Sequence, residues 1–145
     1  MKRKKLLGTK MEQINVLVST YNGEKYIEEQ LKSIDCQTYS NIHVYIRDDG
    51  STDRTVEIVN QYIRKNELSN KYTVETGENI GFSKSFYLLM QMADSGEYWA
   101  FCDQDDVWYP NKLSNAVKWM QTQKNDIPLL YQSKIAIGNH DLSEI

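Results

Sequence analysis

The stretch that decides the fold is INVLVSTYNGEKYIEEQLKSID, residues 14–35. Its first part, INVLVST at 14–20, is a short apolar run rich in β-branched residues, which favours a strand. The following YNGE contains Asn22 and Gly23, two residues that favour a turn. Apolar residues then recur at helical spacing over 24–35. They are Tyr26, Ile27, Leu31 and Ile34. The stretch therefore predicts a strand, a turn and an amphipathic helix that packs on a sheet.

The same alternation of strands and helices continues along the chain. The further predicted elements are a strand at 42–50, a helix at 51–66 with Ser51 or Thr52 as its N-cap, a strand at 71–76, a helix at 83–94, a strand at 97–103, a helix opened by Pro110 and a fifth strand at 128–138. Such alternation is typical of an α/β fold with a mostly parallel sheet, right-handed crossovers and functional residues at the carboxyl ends of the strands.

Composition restricts the class of protein. A chain of 145 residues with 40% hydrophobic and 26% charged residues can bury one ordinary core, and we predict one domain over 14–145. The net charge of −3 gives no reason to expect a nucleic-acid partner. The two cysteines, Cys36 and Cys102, match neither a disulfide scaffold nor a zinc ribbon, so a reducing cytoplasm is the simplest location.

The N-terminal segment 1–13 is basic at residues 2–5 but lacks the apolar core of a signal peptide. No later segment approaches the roughly 20 apolar residues needed to span a bilayer. We predict a frayed basic tail; the alternative is a peripheral contact with anionic lipid at the cytoplasmic face of a membrane.

Polar clusters follow three of the predicted strands: STYNGE at 19–24, RDDGS at 47–51 and CDQDD at 102–106. If these strands are neighbours, the clusters share one crevice. The chain has neither G-x-G-x-x-G nor G-x-x-x-x-G-K-[ST], which argues against a dinucleotide oxidoreductase and a P-loop enzyme. Converging carboxylates would repel a diphosphate unless a divalent cation lay between them, and oxygen ligands suit Mg²⁺ or Mn²⁺.

The three acids after the fourth strand are not equivalent. Asp103 and Asp105 occupy alternate positions of an extended strand end and should point to the same side, whereas Asp106 should point away. One of the pair could bind the metal and the other a sugar hydroxyl or the water shell of the metal. Asp106 suits equally well a role at the start of the next helix.

Three further residues are candidates for binding a nucleotide. Asp49 could accept a hydrogen bond from a base or ribose, or serve as an ordinary turn and N-cap residue. Tyr21 could stack on a base or belong to the core. Lys84, near the start of its helix, could neutralise phosphate or remain a solvated surface lysine.

Several separated motifs, in this order, resemble the nucleotide-sugar half of family 2 glycosyltransferases, which have the GT-A fold. They are residues 14–55, INVLVSTYNGEKYIEEQLKSIDCQTYSNIHVYIRDDGSTDRT, then NIGFSKSF at 79–86 and CDQDDVWYPNKL at 102–113. The resemblance runs from about Ile14 to about Met120. NIGFSKSF together with CDQDDVW is most similar to the rhamnosyltransferase-type branch, which builds bacterial surface polysaccharide.

The resemblance implies roles for individual residues. Those expected beside the nucleotide base are Ser19, Thr20, Tyr21 and Asn22, with Glu24 nearby. Asp49 would accept from the base, Asp103 would face the ribose or sugar, and Asp105 would bind Mn²⁺ or Mg²⁺ on the diphosphate. The implied donor is a UDP- or dTDP-linked sugar, the acceptor is a saccharide or a lipid-linked sugar, and the reaction inverts the anomeric carbon with a carboxylate base.

The chain departs from the family pattern in two places. Lys84, Ser85 and Phe86 stand where many relatives have A-R-N. The base and the acceptor-binding segments of the family lie beyond the fifth strand, so we expect the catalytic base beyond Ile145 and assign it neither to Asp141 nor to Glu144.

We therefore predict a donor-binding domain that is an N-terminal fragment or a truncated product. The alternative is a non-catalytic nucleotide-sugar-binding module that needs a partner chain. A homodimer through an exposed sheet edge is left open.

Overall fold

The structure is a computed structural model that describes residues 11–93, 96–123 and 127–135. Strands and helices alternate throughout these residues, as the sequence predicts. The elements in chain order are β1 Ile14–Thr20, α1 Ile27–Asp35, β2 Ile42–Asp48, α2 Thr55–Lys65, β3 Tyr72–Thr76, α3 Phe82–Met92, β4 Tyr98–Asp103 and α4 Lys112–Met120.

The described strands form one sheet of four strands in the order β3-β2-β1-β4. Every pairing is parallel, which confirms the predicted α/β class. The register brings Thr20 opposite Asp48 and Ser19 opposite Asp103. The polar strand ends that follow β1, β2 and β4 in the sequence therefore lie at one edge of the sheet.

Helices cover both faces of this sheet. One core joins β1 and β2 to α1, α2 and α4, with Leu31, Val59 and Val117 among its buried residues. A second, smaller core lies on the opposite face, where Leu17 of β1 meets Phe86 and other residues of α3. β1 is buried along almost its whole length because helices pack on both of its sides, which explains why its sequence is nearly continuous in apolar residues.

The strand order changes direction beside β1. The chain proceeds outward from β1 to β2 and β3, and then returns through α3 to place β4 on the other side of β1. In open α/β sheets a ligand commonly binds where the order reverses, outside the carboxyl ends of the strands. In this fold that position lies between the ends of β1 and β4.

Some predicted element boundaries shift. Helix α1 begins at Ile27 rather than Glu24, and α4 begins at Lys112, after a turn that contains Pro110. The predicted N-cap of α2 is wrong, because this helix begins at Thr55, and Asp53 accepts a hydrogen bond from the Thr55 N–H (2.9 Å).

The predicted fifth strand is wrong for residues 128–135, which have no strand structure; its last part, 136–138, lies outside the described residues. Leu130 and Ile135 are 83% and 80% exposed, so these two apolar side chains do not pack on the core, whereas the Tyr131 ring lies 5.7 Å from the ring of Trp119.

Other sequence-based predictions fall on parts of the chain that the structure does not describe. These parts include residues 1–10 of the predicted tail at 1–13 and the C-terminal residues Asp141, Glu144 and Ile145. The expectation of a catalytic base beyond Ile145 therefore stays a prediction. Among the residues that are described, we find no helix long and apolar enough to cross a membrane.

Candidate active site

An open crevice of about 240 Å³ lies at the carboxyl ends of the strands. Its walls come from the ends of β1, β2 and β4 and from the loop that enters α3. The lining residues are Ser19, Thr20, Tyr21, Asp49, Asn79, Gly81, Phe82, Asp103, Gln104 and Asp105. The structure thus brings together residues of all three predicted polar clusters, at the position where the strand order reverses.

Asp49 forms one side of the crevice, and both of its carboxylate oxygens accept hydrogen bonds. Its Oδ1 accepts from the backbone N–H of Ile80 at 2.9 Å, and its Oδ2 accepts from the N–H of Gly81 at 2.8 Å. Burial alone would raise the pKa of this carboxyl, but the bonds from Ile80, Arg47 and Gly81 and the Arg47 charge outweigh it and lower the pKa. Asp49 is therefore a fixed, ionised hydrogen-bond acceptor.

Asp48, the neighbouring acid, has a structural role at the end of β2. Its Oδ1 accepts from the hydroxyls of Thr20 (3.0 Å) and Ser51 (2.5 Å), and its Oδ2 accepts from the Ser51 N–H. It ties the end of β2 to β1 and to the following turn, and it does not line the crevice.

The backbone that carries the acids after β4 has a different conformation from the predicted one. The strand ends at Asp103, and Gln104 and Asp105 form a turn, so the predicted alternation of an extended strand is wrong for Asp105. The turn is closed by a bond from the Asp106 N–H to the Asp103 carbonyl at 3.4 Å. It nevertheless brings both Asp103 and Asp105 into the crevice wall, whereas Asp106 is not part of that wall.

The charges at this end of the crevice are not compensated within the described part of the chain. No described lysine or arginine forms an ion pair with Asp103 or Asp105, and no lining residue is cationic. Burial raises the pKa of the Asp103 carboxyl, and the neighbouring charges of Asp106 and Asp105 raise it further. A cation at this position would relieve the repulsion.

The two acids fit a hard divalent cation. Mg²⁺ is commonly held by one or two carboxylates and completes its shell with substrate phosphates and water. Among the described residues there is no group of three or more His, Cys, Asp or Glu side chains able to hold a metal. Asp105, alone or together with Asp103, would therefore supply one or two ligands, and the remaining ligands would come from phosphate and water.

The end of β1 supplies the floor of the crevice. The Ser19 hydroxyl donates to Ser85 Oγ of α3 at 2.7 Å, which joins the strand end to the helix. Tyr21 is 47% exposed, so its ring is available to a ligand and is not part of the core. Both residues, together with Thr20, line the crevice.

Asn22, Glu24 and Lys84 do not line the crevice. Asn22 has a positive φ of 48°, which Asn tolerates, and its Oδ1 accepts from the Thr52 N–H at 2.9 Å. Glu24 accepts from the Arg54 N–H at 3.1 Å, so both residues connect the β1 loop to the start of α2. Lys84 lies exposed in the first turn of α3.

The sequence motifs did not indicate a role for four of the lining residues, which are Asn79, Gly81, Phe82 and Gln104. The Gln104 side chain bridges the loops after β1 and β4: its Oε1 accepts from the Tyr21 N–H at 2.9 Å, and its Nε2 donates to the Tyr21 carbonyl at 3.0 Å. Gly23 leaves space for this bridge, because a Cβ at that position would lie 2.2 Å from Gln104 Oε1. Phe82 is 63% exposed and adds a second open aromatic ring.

Comparison with known proteins identifies the family. The model of glycosyl transferase family 2 matches residues 15–139 of this chain. The dTDP-rhamnosyl transferase RfbG of Shigella flexneri is 40% identical over 106 residues, which are 69% of this chain and 35% of RfbG. The chain belongs to glycosyltransferase family 2, which confirms the resemblance that its motifs indicate.

Solved structures confirm the GT-A fold. The mannosyltransferase PcManGT of Pyrobaculum calidifontis, in complex with GDP-Man and Mn²⁺, superposes with a TM-score of 0.70 at 30% identity over 77% of this chain and 33% of that chain. S. aureus TarS 1-349 in complex with UDP superposes with a TM-score of 0.66 at 34% identity over 75% of this chain and 32% of that chain. This chain thus spans about a third of the length of these relatives.

Proposed function

We propose that the crevice is the donor site of a metal-dependent, inverting glycosyltransferase that transfers a sugar from a nucleoside-diphosphate sugar. The observation that supports it is the unequal charge compensation of the three crevice carboxylates. Arg47 lies 2.5 Å from Asp49, whereas no described cationic side chain pairs with Asp103 or Asp105. One end of the crevice therefore suits a neutral base, and the other suits a cation with a diphosphate.

The Asp49 end would bind the nucleobase. An ionised carboxylate can only accept hydrogen bonds, so it favours a base with a ring N–H. Tyr21, whose ring is half exposed in the same wall, would stack on the base. Uracil, thymine and guanine all carry a ring N–H, and UDP, dTDP and GDP-Man appear in the names of the matched relatives and structures.

The opposite end would bind the diphosphate through a divalent cation. Bound Mn²⁺ or Mg²⁺ would act as a Lewis acid that stabilises the negative charge on the departing nucleoside diphosphate. Asp105 would hold the cation, and Asp103 would either share it or face the ribose or sugar. Lys84 lies outside the crevice wall, so a contribution to phosphate binding would be long-range.

The acceptor side of the reaction belongs to the same proposal. We infer transfer to a saccharide or lipid-linked acceptor in the cytoplasm during surface polysaccharide synthesis, in line with the similarity to RfbG and with the free thiols of Cys36 and Cys102. We assign no residue of this chain as the base and propose that it lies beyond Ile145, in the part of the relatives that this chain does not cover. The competing function is a nucleotide-sugar-binding module that transfers nothing without a partner chain.

The test of the metal site is Asp105→Ala, with Asp106→Ala as the matched control from the same turn. Titration calorimetry with UDP should show affinity that increases with Mn²⁺ in the wild type and in Asp106→Ala. The Mn²⁺-dependent part should disappear in Asp105→Ala, while circular dichroism shows an intact fold. Unchanged affinity in Asp105→Ala would overturn the metal assignment.

Turnover separates the two functions. Donor hydrolysis or transfer by the 145-residue chain alone would establish an enzyme. Binding of UDP and Mn²⁺ without either reaction, until the downstream part of a longer relative is fused to it, would support the binding module.

A further inference from the structure

We propose that Arg47 is a positioning residue that fixes the Asp49 carboxylate so that a single acceptor site faces the nucleobase. This inference rests on the proposed donor site and deepens it, because it assigns base selectivity to a buried residue that would not contact the ligand. Three observations support it: the burial of Arg47, the hydrogen bonds that its guanidinium donates to several partners, and the space that Gly77 leaves for it.

Arg47 is a buried charge on β2, with 3% of its surface exposed. Its Nη1 donates to Asp49 Oδ1 at 2.5 Å and to Ser85 Oγ at 3.1 Å, and its Nη2 donates to the Glu78 carbonyl at 3.0 Å. Burying a charged pair is costly, and such a pair is weak support for stability, since apolar residues of similar volume often stabilise as well or better. A role in recognition explains why the pair lies directly behind the crevice wall.

The hydrogen bonds to Asp49 leave one position open. A carboxylate offers about four lone-pair sites, two on each oxygen. Oδ1 accepts from Arg47 and from the Ile80 N–H, and Oδ2 accepts from the Gly81 N–H. Within the described part of the chain, the remaining lone pair is on Oδ2, and Asp49 lines the crevice. Arg47, together with the N–H groups of Ile80 and Gly81, thus keeps the carboxylate from rotating and offering both oxygens to a ligand.

The guanidinium also connects the elements around Asp49. Ser85 Oγ accepts from Arg47 and from the Ser19 hydroxyl, so the ends of β1 and β2 and the first turn of α3 share one network. Gly77 makes room for it, because a Cβ there would lie 2.8 Å from Arg47 Nη2. A lysine ammonium is a single point of charge and cannot reproduce the planar fork that reaches these partners from two nitrogens.

The chemical consequence is selection for a base with a ring N–H. Uridine has an N3–H that can donate to the open lone pair of Oδ2, whereas cytidine has an acceptor at N3 and would leave two acceptors facing each other. A carboxylate that can rotate or shift discriminates less, because it can turn away from the cytidine N3. Arg47 should therefore affect the choice between these nucleosides more than the affinity for diphosphate.

The experiment measures binding of uridine and cytidine, without phosphate or metal, to the wild type and to Arg47→Lys. Arg54→Lys, at an exposed arginine on the surface, is the matched control. We expect the wild type and the control to prefer uridine by at least about tenfold, the scale of one hydrogen bond to a charged group. In Arg47→Lys this ratio should fall towards one, while the factor by which Mn²⁺ increases UDP affinity stays unchanged.

If Arg47 had a purely structural role, Arg47→Lys would lower the affinities for uridine and cytidine by the same factor and leave their ratio unchanged. That result would overturn the inference. If Arg47→Lys does not fold, Gly77→Ala keeps the arginine but displaces its guanidinium, and it should lower the ratio in the same way; an unchanged ratio would again overturn the inference. Failure of the wild type to bind UDP with Mn²⁺ would contradict the proposed function itself. If the wild type binds UDP and prefers uridine to cytidine, but the variants keep the same preference, only the role of Arg47 is contradicted.

Discussion

At the scale of single residues, the adjacent acids Asp48 and Asp49 have opposite uses. Successive residues of an extended chain point to opposite sides, so Asp48 faces Thr20 and Ser51 while Asp49 faces the crevice. Composition cannot separate them, because both are aspartates in the same short run before Gly50. Their surroundings separate them: Asp48 is surrounded by hydroxyl and backbone donors, whereas Asp49 shares its carboxylate with a buried arginine.

Asp49→Asn should destabilise the fold in a pH-dependent way. Removing the carboxylate leaves Arg47 buried without its counter-ion, which costs about 3–5 kcal/mol near neutral pH. Because the pKa of Asp49 is lowered from its ordinary value of 3.8, its contribution is fully present above that value and is lost as the pH falls through the lower pKa of the folded state. Urea unfolding of both proteins between about pH 6 and about pH 2.5 should show the stability difference shrink at the acid end. A difference that is constant with pH would contradict this assignment.

At the scale of elements, the loops after β1 and β4 are held together by one side chain. Gln104 bonds to both the N–H and the carbonyl of Tyr21, as a neighbouring strand would, although the strands themselves have ended. This bridge forms part of the crevice wall between Asp49 and Asp105. It depends on Gly23, whose own backbone is fixed by a bond from its N–H to Thr55 Oγ1 at 2.8 Å.

Gly23→Ala should therefore displace Gln104 rather than the backbone. We expect a loss of about 1–3 kcal/mol, the usual cost of overpacking, and weaker UDP binding. In the Gln104→Ala background the same substitution should be nearly neutral, because the colliding amide is absent. A double-mutant cycle of unfolding free energies measures this coupling. Additive effects would show that the two residues do not interact.

At the scale of the whole molecule, the crevice is assembled from four segments that are far apart in the sequence. Ser19 lies at the end of β1, whereas Asp49, Gly81 and Asp105 lie in three different loops, and the parallel sheet brings all four to one edge. A ligand that contacts all of them binds the folded state and not the unfolded chain. Binding should therefore stabilise the entire domain and not only one loop.

UDP with Mn²⁺ should raise the melting temperature by roughly 5–10 °C at about 100 times its dissociation constant. Ligand binding at this concentration stabilises the folded state by about 2.7 kcal/mol. Each kcal/mol raises the melting temperature of a domain of about this size by roughly 2–4 °C. Mn²⁺ alone should have a smaller effect, because two carboxylates without a diphosphate make an incomplete site. Differential scanning fluorimetry with and without EDTA measures the metal-dependent part. An equal shift by UDP in the presence of EDTA would contradict the metal site.

The sequence by itself determined the alternation of strands and helices, the parallel sheet, and the location of Asp49, Asp103 and Asp105 at strand ends. These features follow from local periodicity and turn chemistry, which a short window of residues contains. The end of β4 at Asp103, the turn that presents Asp105, the Gln104 bridge and the network of Arg47 were decided only by the tertiary structure. The side-chain partners in that network and bridge are up to 83 residues apart. No local pattern encodes such pairs, because they exist only once the sheet has brought its strand ends together.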